Sequence, residues 1–155
     1  MSDLLPTNFV GTASAAVQST DGNCRVYFQH KDYNIYQMML TDPTSTSYSL
    51  QNLINSPMPA ARINTPIAAI SWNELQEIRV YYITTDSQVQ EMYFSKSGGM
   101  HKGQVLGTAV ESSAFLYAQI AVKPRIVVRV GFQSATDPKT ITEAVWDNGW
   151  KNRVL

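Results

Sequence analysis

The chain has 155 residues, 44% of them hydrophobic and only 15% charged, a balance that supports a sizeable core and excludes intrinsic disorder. Twelve basic residues match twelve acidic ones and the pI is near 6.7, so no summed positive field exists to hold phosphate backbones or anionic lipid, and neither nucleic acid nor a membrane surface is an expected partner. No stretch approaches the roughly 18 apolar residues of a membrane span, and MSDLLPTNFV lacks a basic segment followed by a long apolar run; the expectation is a soluble protein, cytoplasmic or released without an N-terminal secretion signal.

From the N-terminus, ASAAVQ (13–18) reads as a strand, TDGN as a turn, CRVYFQH (24–30) as a second strand, KDYN as a turn and IYQMML (35–40) as a third strand. A Ser/Thr-rich link then leads to SYSLQNLI (47–54). Cys24, the only cysteine, cannot form an internal disulfide and reads as a packing thiol at the start of the second strand. The proline-rich SPMPAARINTP (56–66) reads as a connection between structural units rather than a domain boundary. IAAISW (67–72) is a short buried-looking run, EIRVYYIT (77–84) an alternating strand, and VQEMYF (89–94) a third strand beyond the turn TDSQ. KSGG leads into MHKGQVLG (100–107), a more polar candidate for an outer edge strand. FLYAQIAV (115–122), RIVVRVGF (125–132), ITEAVWDNGW (141–150) and a terminal KNRVL complete the chain. That last segment is too short to show how its unit is completed, and exchange between chains is one expectation.

Three copies of one pattern stand out: RVYFQHKDYNIYQMML from Arg25, RVYYITTDSQVQEMYF from Arg79 and RVGFQSATDPKTITEAVW from Arg129, the arginines lying 54 and then 50 residues apart. Each unit reads as a four-stranded antiparallel sheet, and such a sheet repeated radially is the blade of a β-propeller. The expected fold is all-β: a single domain over 1–155 with blades at approximately 8–60, 61–108 and 109–155. Propellers close with about four to eight blades, and an arc of three would leave two apolar blade faces in water. Self-association is therefore expected, a two-fold homodimer giving a closed ring of six.

IAAISW, IRVYY, the acid in VQE and the tryptophan-rich WDNGW together resemble the fungal fucose-binding lectins of the Aleuria aurantia type, over essentially the whole chain and most strongly over 65–94 and 129–150. The resemblance implies a six-bladed propeller that binds L-fucose and fucosylated glycans between adjacent blades, without turnover. In that family an arginine and a glutamate from one blade bond the sugar hydroxyls and ring oxygen, and tryptophans from the next blade stack on the apolar side. The chemistry suits fucose, whose vicinal hydroxyls match a guanidinium fork and a carboxylate, and whose methyl group and C–H face need an aromatic surface.

Carried onto this sequence, the resemblance places Arg79 and Glu91 of the second unit with Trp146 and Trp150 of the third in one complete pocket, with Gln104 as a lining residue. Tyr81 and Met100 lie close by in sequence without an assigned place. The first pocket departs from the pattern: Arg25 is matched by Gln37 rather than a glutamate, and Phe94 and Met100 stand where tryptophans are expected. Arg129 and Glu143 keep both polar groups, but their wall would come from the first unit of a partner chain, where Leu40 and a Ser/Thr-rich segment replace the aromatics. Both pockets read as degenerate.

An arginine and a glutamate on neighbouring strands can equally be a simple cross-strand ion pair; three arginines in register, with tryptophans only where the polar pair is intact, favour a sugar site. Trp72 reads as a packing residue. His30 and His101 are isolated and lack ligand spacing, so neither a metal nor a cofactor is expected. No catalytic motif emerges, and Glu91 and Glu143 fall in separate repeats, which argues against a two-carboxylate glycosidase. The alternative reading is a propeller scaffold that binds protein instead of sugar.

Overall fold

The computed structural model describes residues 3–8, 12–55 and 57–155. Within MSDLLPTNFV and the proline-rich connection, Met1, Ser2, Phe9, Val10 and Ser56 lie outside the described residues. Among those described there is no helix, and the strands group into three antiparallel sheets in chain order. The first holds β1 (Ser14–Gln18), β2 (Cys24–Gln29), β3 (Ile35–Leu40) and β4 (Ser49–Asn52). The second holds β5 (Ile67–Trp72), β6 (Glu77–Ile83), β7 (Gln88–Ser95) and β8 (Gly99–Thr108), and the third β9 (Leu116–Ala121), β10 (Val127–Phe132), β11 (Thr142–Trp146) and β12 (Trp150–Val154). Strand β5 packs against both β1 and β9, so the first strand of each sheet faces a common centre, as in propeller blades.

The middle sheet explains why its sequence is so apolar. Successive side chains of a strand point to opposite faces, and both faces of β6 are covered. Ile78, Val80 and Tyr82 join Val17, Tyr27 and Ile35 of the first sheet in one core. Tyr81 and Ile83 join Val128, Val130 and Phe132 of the third sheet in a second core. Val80, Tyr81, Tyr82 and Ile83 are all 0% exposed. Each such side chain contributes about 1.5–3 kcal/mol relative to exposure, so neither junction can open without uncovering several of them.

Two local features set up the site. After β11 the chain turns through Asn148 (φ 58°) and Gly149 (φ 140°), the latter in a region that only glycine adopts without strain. This turn returns Trp150 to a position directly opposite Trp146. It also corrects the expectation for the C-terminus: Trp150, not Lys151, begins the outer strand, and β12 completes its sheet within the same chain. The second feature is a β-bulge between β7 and β8, where Gln90 pairs with Val105 and Met92 with Lys102, leaving Gly103 and Gln104 both opposite Glu91. The Gln90 amide donates to the carbonyls of Gly103 (3.0 Å) and Gln104 (3.3 Å), satisfying the backbone that the bulge takes out of the ladder.

Candidate functional site

A cleft of about 540 Å³ opens between the second and third sheets, lined by Arg79, Glu91 and Gln104 on one side and Trp146 and Trp150 on the other, with Trp72 and Tyr93 beside the arginine. Arg79 lies on β6 directly opposite Tyr93 on β7. Its Cζ sits 4.7 Å from the Trp72 ring centre and 5.1 Å from that of Tyr93, so the guanidinium is held between two aromatic faces. Nη1 donates to the Ile78 carbonyl (3.0 Å) and to Glu77 Oε2 (3.3 Å), while Nη2 makes no bond among the described residues. A cation held flat in this way presents a fixed donor fork to the cleft. Trp72, expected to serve in packing, thus also lines the cleft and orients Arg79.

Glu91 lies two pairs further along the same strands, opposite Tyr81 and on the same face, so it meets Arg79 diagonally, with Nε and Oε2 4.0 Å apart. Its closest partner is the Tyr81 hydroxyl, which donates to Oε2 at 3.0 Å, while the Gln104 N–H donates to Oε1 at 3.4 Å. The bulge makes that second contact possible. Gly103 makes it necessary that no side chain stands opposite, since a Cβ there would come within 2.4 Å of Oε1. The Glu91 side chain is only 8% exposed. Burial pushes its carboxyl above the usual range, an effect that Tyr81, the Gln104 amide and Arg79 only partly offset. From the third sheet an uncharged indole stands behind this pair: Trp150 meets the Tyr81 ring edge-on at 6.5 Å. The assembly offers a planar cation, a carboxylate acceptor and two indole surfaces in one cleft, a set suited to a small polyol with one apolar face.

Between the first and second sheets the structure gathers Arg25, Gln37, Phe94 and Met100 around a smaller cavity of about 160 Å³. Met100 therefore belongs to this pocket and not to the main cleft. Arg25 repeats the anchorage of Arg79, donating from Nη1 to the carbonyls of Cys24 (2.8 Å) and Leu40 (3.4 Å). Gln37, however, spends its amide on Gln51 Oε1 at 3.1 Å, and the walls are aliphatic, thioether and the single phenyl ring of Phe94 rather than indole.

On the outward face of the third sheet, Arg129 Nη1 donates to Glu143 Oε1 at 3.1 Å. Arg153 on β12, directly opposite Glu143, donates to the same oxygen from Nη2 (2.6 Å) and Nε (3.0 Å), and the Tyr117 hydroxyl donates to Oε2 at 2.9 Å. Burial alone would raise the Glu143 pKa, but Arg153, Tyr117 and Arg129 outweigh it and hold the carboxyl below the usual range. The adjoining recess is lined by Arg129, Lys151 and Arg153, with no aromatic wall among the described residues. Among the described residues, no three His, Cys, Asp or Glu side chains form a metal-binding group.

Sequence reasoning missed Tyr93, Gly103, Tyr117 and Arg153. Tyr93 follows from antiparallel register opposite Arg79, and a glycine inside the edge-strand pattern is itself a bulge signal. Tyr117 and Arg153 required knowing which face of the third sheet each strand presents.

Fold and cleft together define a β-propeller-type chain with a cleft between adjacent blades. Residues 9–154 match the family model of the fungal fucose-specific lectin, and the chain belongs to that family. It is 32% identical over 148 residues to a fucose-specific lectin of Aspergillus oryzae and 28% identical over 142 residues to one of Aspergillus fumigatus. Each match covers 90% of this chain but only 44% and 43% of those proteins, so the chain spans less than half the length of these curated relatives. Among solved structures, the six-bladed β-propeller of the Aleuria aurantia lectin superposes with a TM-score of 0.73 at 23% identity, covering 97% of this chain and 47% of that one. A fucose lectin from Kordia zhangzhouensis in complex with methyl-fucoside gives 0.63 at 19% identity, covering 92% of this chain and 97% of that one.

Proposed function

We propose that this chain binds L-fucose and fucosylated glycans in the cleft between its second and third sheets, as a lectin without turnover. The observation that carries the reading is the convergence of Arg79, Glu91, Trp146 and Trp150 on one cleft of about 540 Å³. The Arg79 fork and the Glu91 carboxylate bond vicinal hydroxyls, and the indoles cover the methyl group and C–H face. Gln104 contributes through its backbone N–H, which holds Glu91. The two acids at matching repeat positions serve separate sheets, each bonded by its own tyrosine, which supports binding rather than two-carboxylate hydrolysis. The first and third pockets contribute little, because their acid or amide is already bonded within the sheet.

The outward faces of the first and third sheets call for a covering partner, and a second copy of the chain supplies both in a two-fold ring of six blades. Such a dimer displays at least two sugar sites and gains avidity on glycan-covered surfaces.

Calorimetric titration with methyl α-L-fucoside tests the reading. About one site per chain is expected; no heat at millimolar sugar overturns it and favours a protein-binding scaffold. Light scattering tests the ring: a particle of twice the 17.3 kDa chain mass is expected, and a monomer at micromolar concentration excludes dimeric closure.

A further inference from the structure

We infer that Tyr81 is a positioning residue of the sugar site, its buried hydroxyl fixing the Glu91 carboxylate in the orientation that accepts ligand hydroxyls. The inference rests on the reading of Glu91 as the sugar acceptor. Within the second sheet, the phenol at 3.0 Å is the shortest contact Glu91 makes, against 3.4 Å for the Gln104 N–H and 4.0 Å for Arg79. It engages Oε2 alone, which leaves Oε1 with one long bond and acceptor capacity toward the cleft.

The other two sheets vary the same arrangement. In the third, the position opposite the acid is Gly131, and the tyrosine has moved one strand inward: Tyr117 on β9 lies opposite Gly131, and its hydroxyl reaches Glu143 Oε2 at 2.9 Å. The glycine makes room for this, since a Cβ on Gly131 would lie 2.0 Å from the Tyr117 ring. A phenol thus meets the corresponding oxygen from a different strand. In the first sheet, Tyr27 stands opposite Gln37, the carboxylate is absent, and the buried Tyr27 hydroxyl has no partner among the described residues. The ring therefore packs at this position without its hydrogen bond, which separates the role of the hydroxyl from that of the ring. Phenol and acid are bonded wherever both are present, by either of two routes.

The groups facing Glu91 are Arg79 and Tyr81 from β6, Gly103 and the Gln104 amide from β8, and the uncharged Trp150 behind Tyr81 from the third sheet. Tyr81→Phe keeps the ring and removes only the hydroxyl. Its affinity for methyl α-L-fucoside is expected to fall on the order of tenfold, the scale of one hydrogen bond to a charged group. The phenol bond opposes the effect of burial on Glu91. Without it the carboxylate protonates at higher pH, and binding is lost earlier on acidification. The double variant Ala68→Tyr with Tyr81→Gly, which copies the third sheet, is expected to recover most of the affinity. A Phe variant with wild-type affinity and an unchanged pH midpoint overturns the inference, even if it melts at lower temperature; so does a folded double variant that stays at the Phe level. If the wild-type chain binds no fucoside, the sugar reading fails separately. The ¹³C titration of the Glu91 carboxyl then separates the two failures: an upward shift in Tyr81→Phe keeps the phenol's hold on the carboxylate and confines the failure to the sugar reading, and an unchanged midpoint overturns the positioning role itself.

Discussion

Replacing Glu91 by Gln should weaken sugar binding while leaving the fold as stable or more so. The side chain is 8% exposed and has one hydrogen bond near 3.0 Å, one at 3.4 Å and a guanidinium no closer than 4.0 Å. The carboxylate is thus poorly compensated for leaving water, which is why burial raises its pKa. A folded pKa above the unfolded value means that the native state holds this proton more tightly than the unfolded chain. The group's contribution to stability therefore declines as pH rises from the unfolded pKa through the folded one, and above that the ionised carboxylate is a net cost. Gln fits the same space, can still accept from Tyr81, and carries no charge. Removing the cost should raise stability by on the order of 1 kcal/mol, or about 2–4 °C in melting temperature for a chain of this size. Binding goes the other way: a charged acceptor contributes about 1.5–3 kcal/mol per hydrogen bond, so affinity for methyl α-L-fucoside should fall roughly ten- to a hundredfold. Scanning calorimetry and titration calorimetry on one preparation read both. A variant that loses several degrees together with its affinity would show Glu91 to be a structural ion-pair partner, and wild-type affinity would remove it from the site.

Arg79→Lys should cost at least about tenfold in sugar affinity with little change in melting, because a lysine keeps the charge but neither the fork nor the planar surface held between Trp72 and Tyr93; unchanged affinity by titration would show that the charge alone suffices. Glu143 has the opposite titration to Glu91: its folded pKa is depressed, so its stabilisation is present above the unfolded pKa and lost as pH falls through the folded one. Glu143→Gln should therefore melt lower than wild type at neutral pH, with the gap closing as the pH drops below the ordinary glutamate range; a gap constant with pH refutes this. Gly131→Ala places a methyl group 2.0 Å from the Tyr117 ring and should destabilise by about 1–3 kcal/mol; an unchanged denaturation midpoint would mean that Tyr117 moves aside freely.

The fold was legible because both faces of each strand leave a record in the sequence. EIRVYYI begins as an alternating pattern and becomes continuously apolar over 80–83, where its alternate side chains enter two different cores, and the strand-turn-strand unit recurs three times. The end of the third sheet was less legible: Asn-Gly in WDNGW is a strong hairpin signal and places Trp150 opposite Trp146, but the short KNRVL by itself does not show that the outer strand starts at Trp150 and completes the sheet. At the site, the spacing of Arg79 and Glu91 predicted that they meet across a strand pair, but register makes the contact diagonal and gives the direct partners to Tyr93 and Tyr81. The bulge at Gly103 was out of reach in detail, because an inserted residue changes register without changing composition. Trp72 was assigned to packing because it ends an apolar run, yet as the last residue of β5 it is only partly buried and free to cover Arg79.

Why one of three similar pockets stays open follows from the outermost strand. In each sheet the acid or its replacement on the third strand faces a residue on the fourth. Gln51 faces Gln37 and bonds it at 3.1 Å. Arg153 faces Glu143 and bonds it at 2.6 Å. In the second sheet the corresponding residue is Gly103, which has no side chain to offer, and the extra residue of the bulge contributes only a backbone N–H at 3.4 Å. A carboxylate oxygen with its hydrogen-bonding capacity filled by a guanidinium has little left for a sugar hydroxyl, whereas one held by a single long bond retains it. The same sheet also faces the two indoles of the third sheet. On the proposed reading, competence for ligand binding is therefore a property of the junction: the inner strands fix the arginine and the phenol, the outer strand leaves the acid unfilled, and the next sheet supplies the stacking surface.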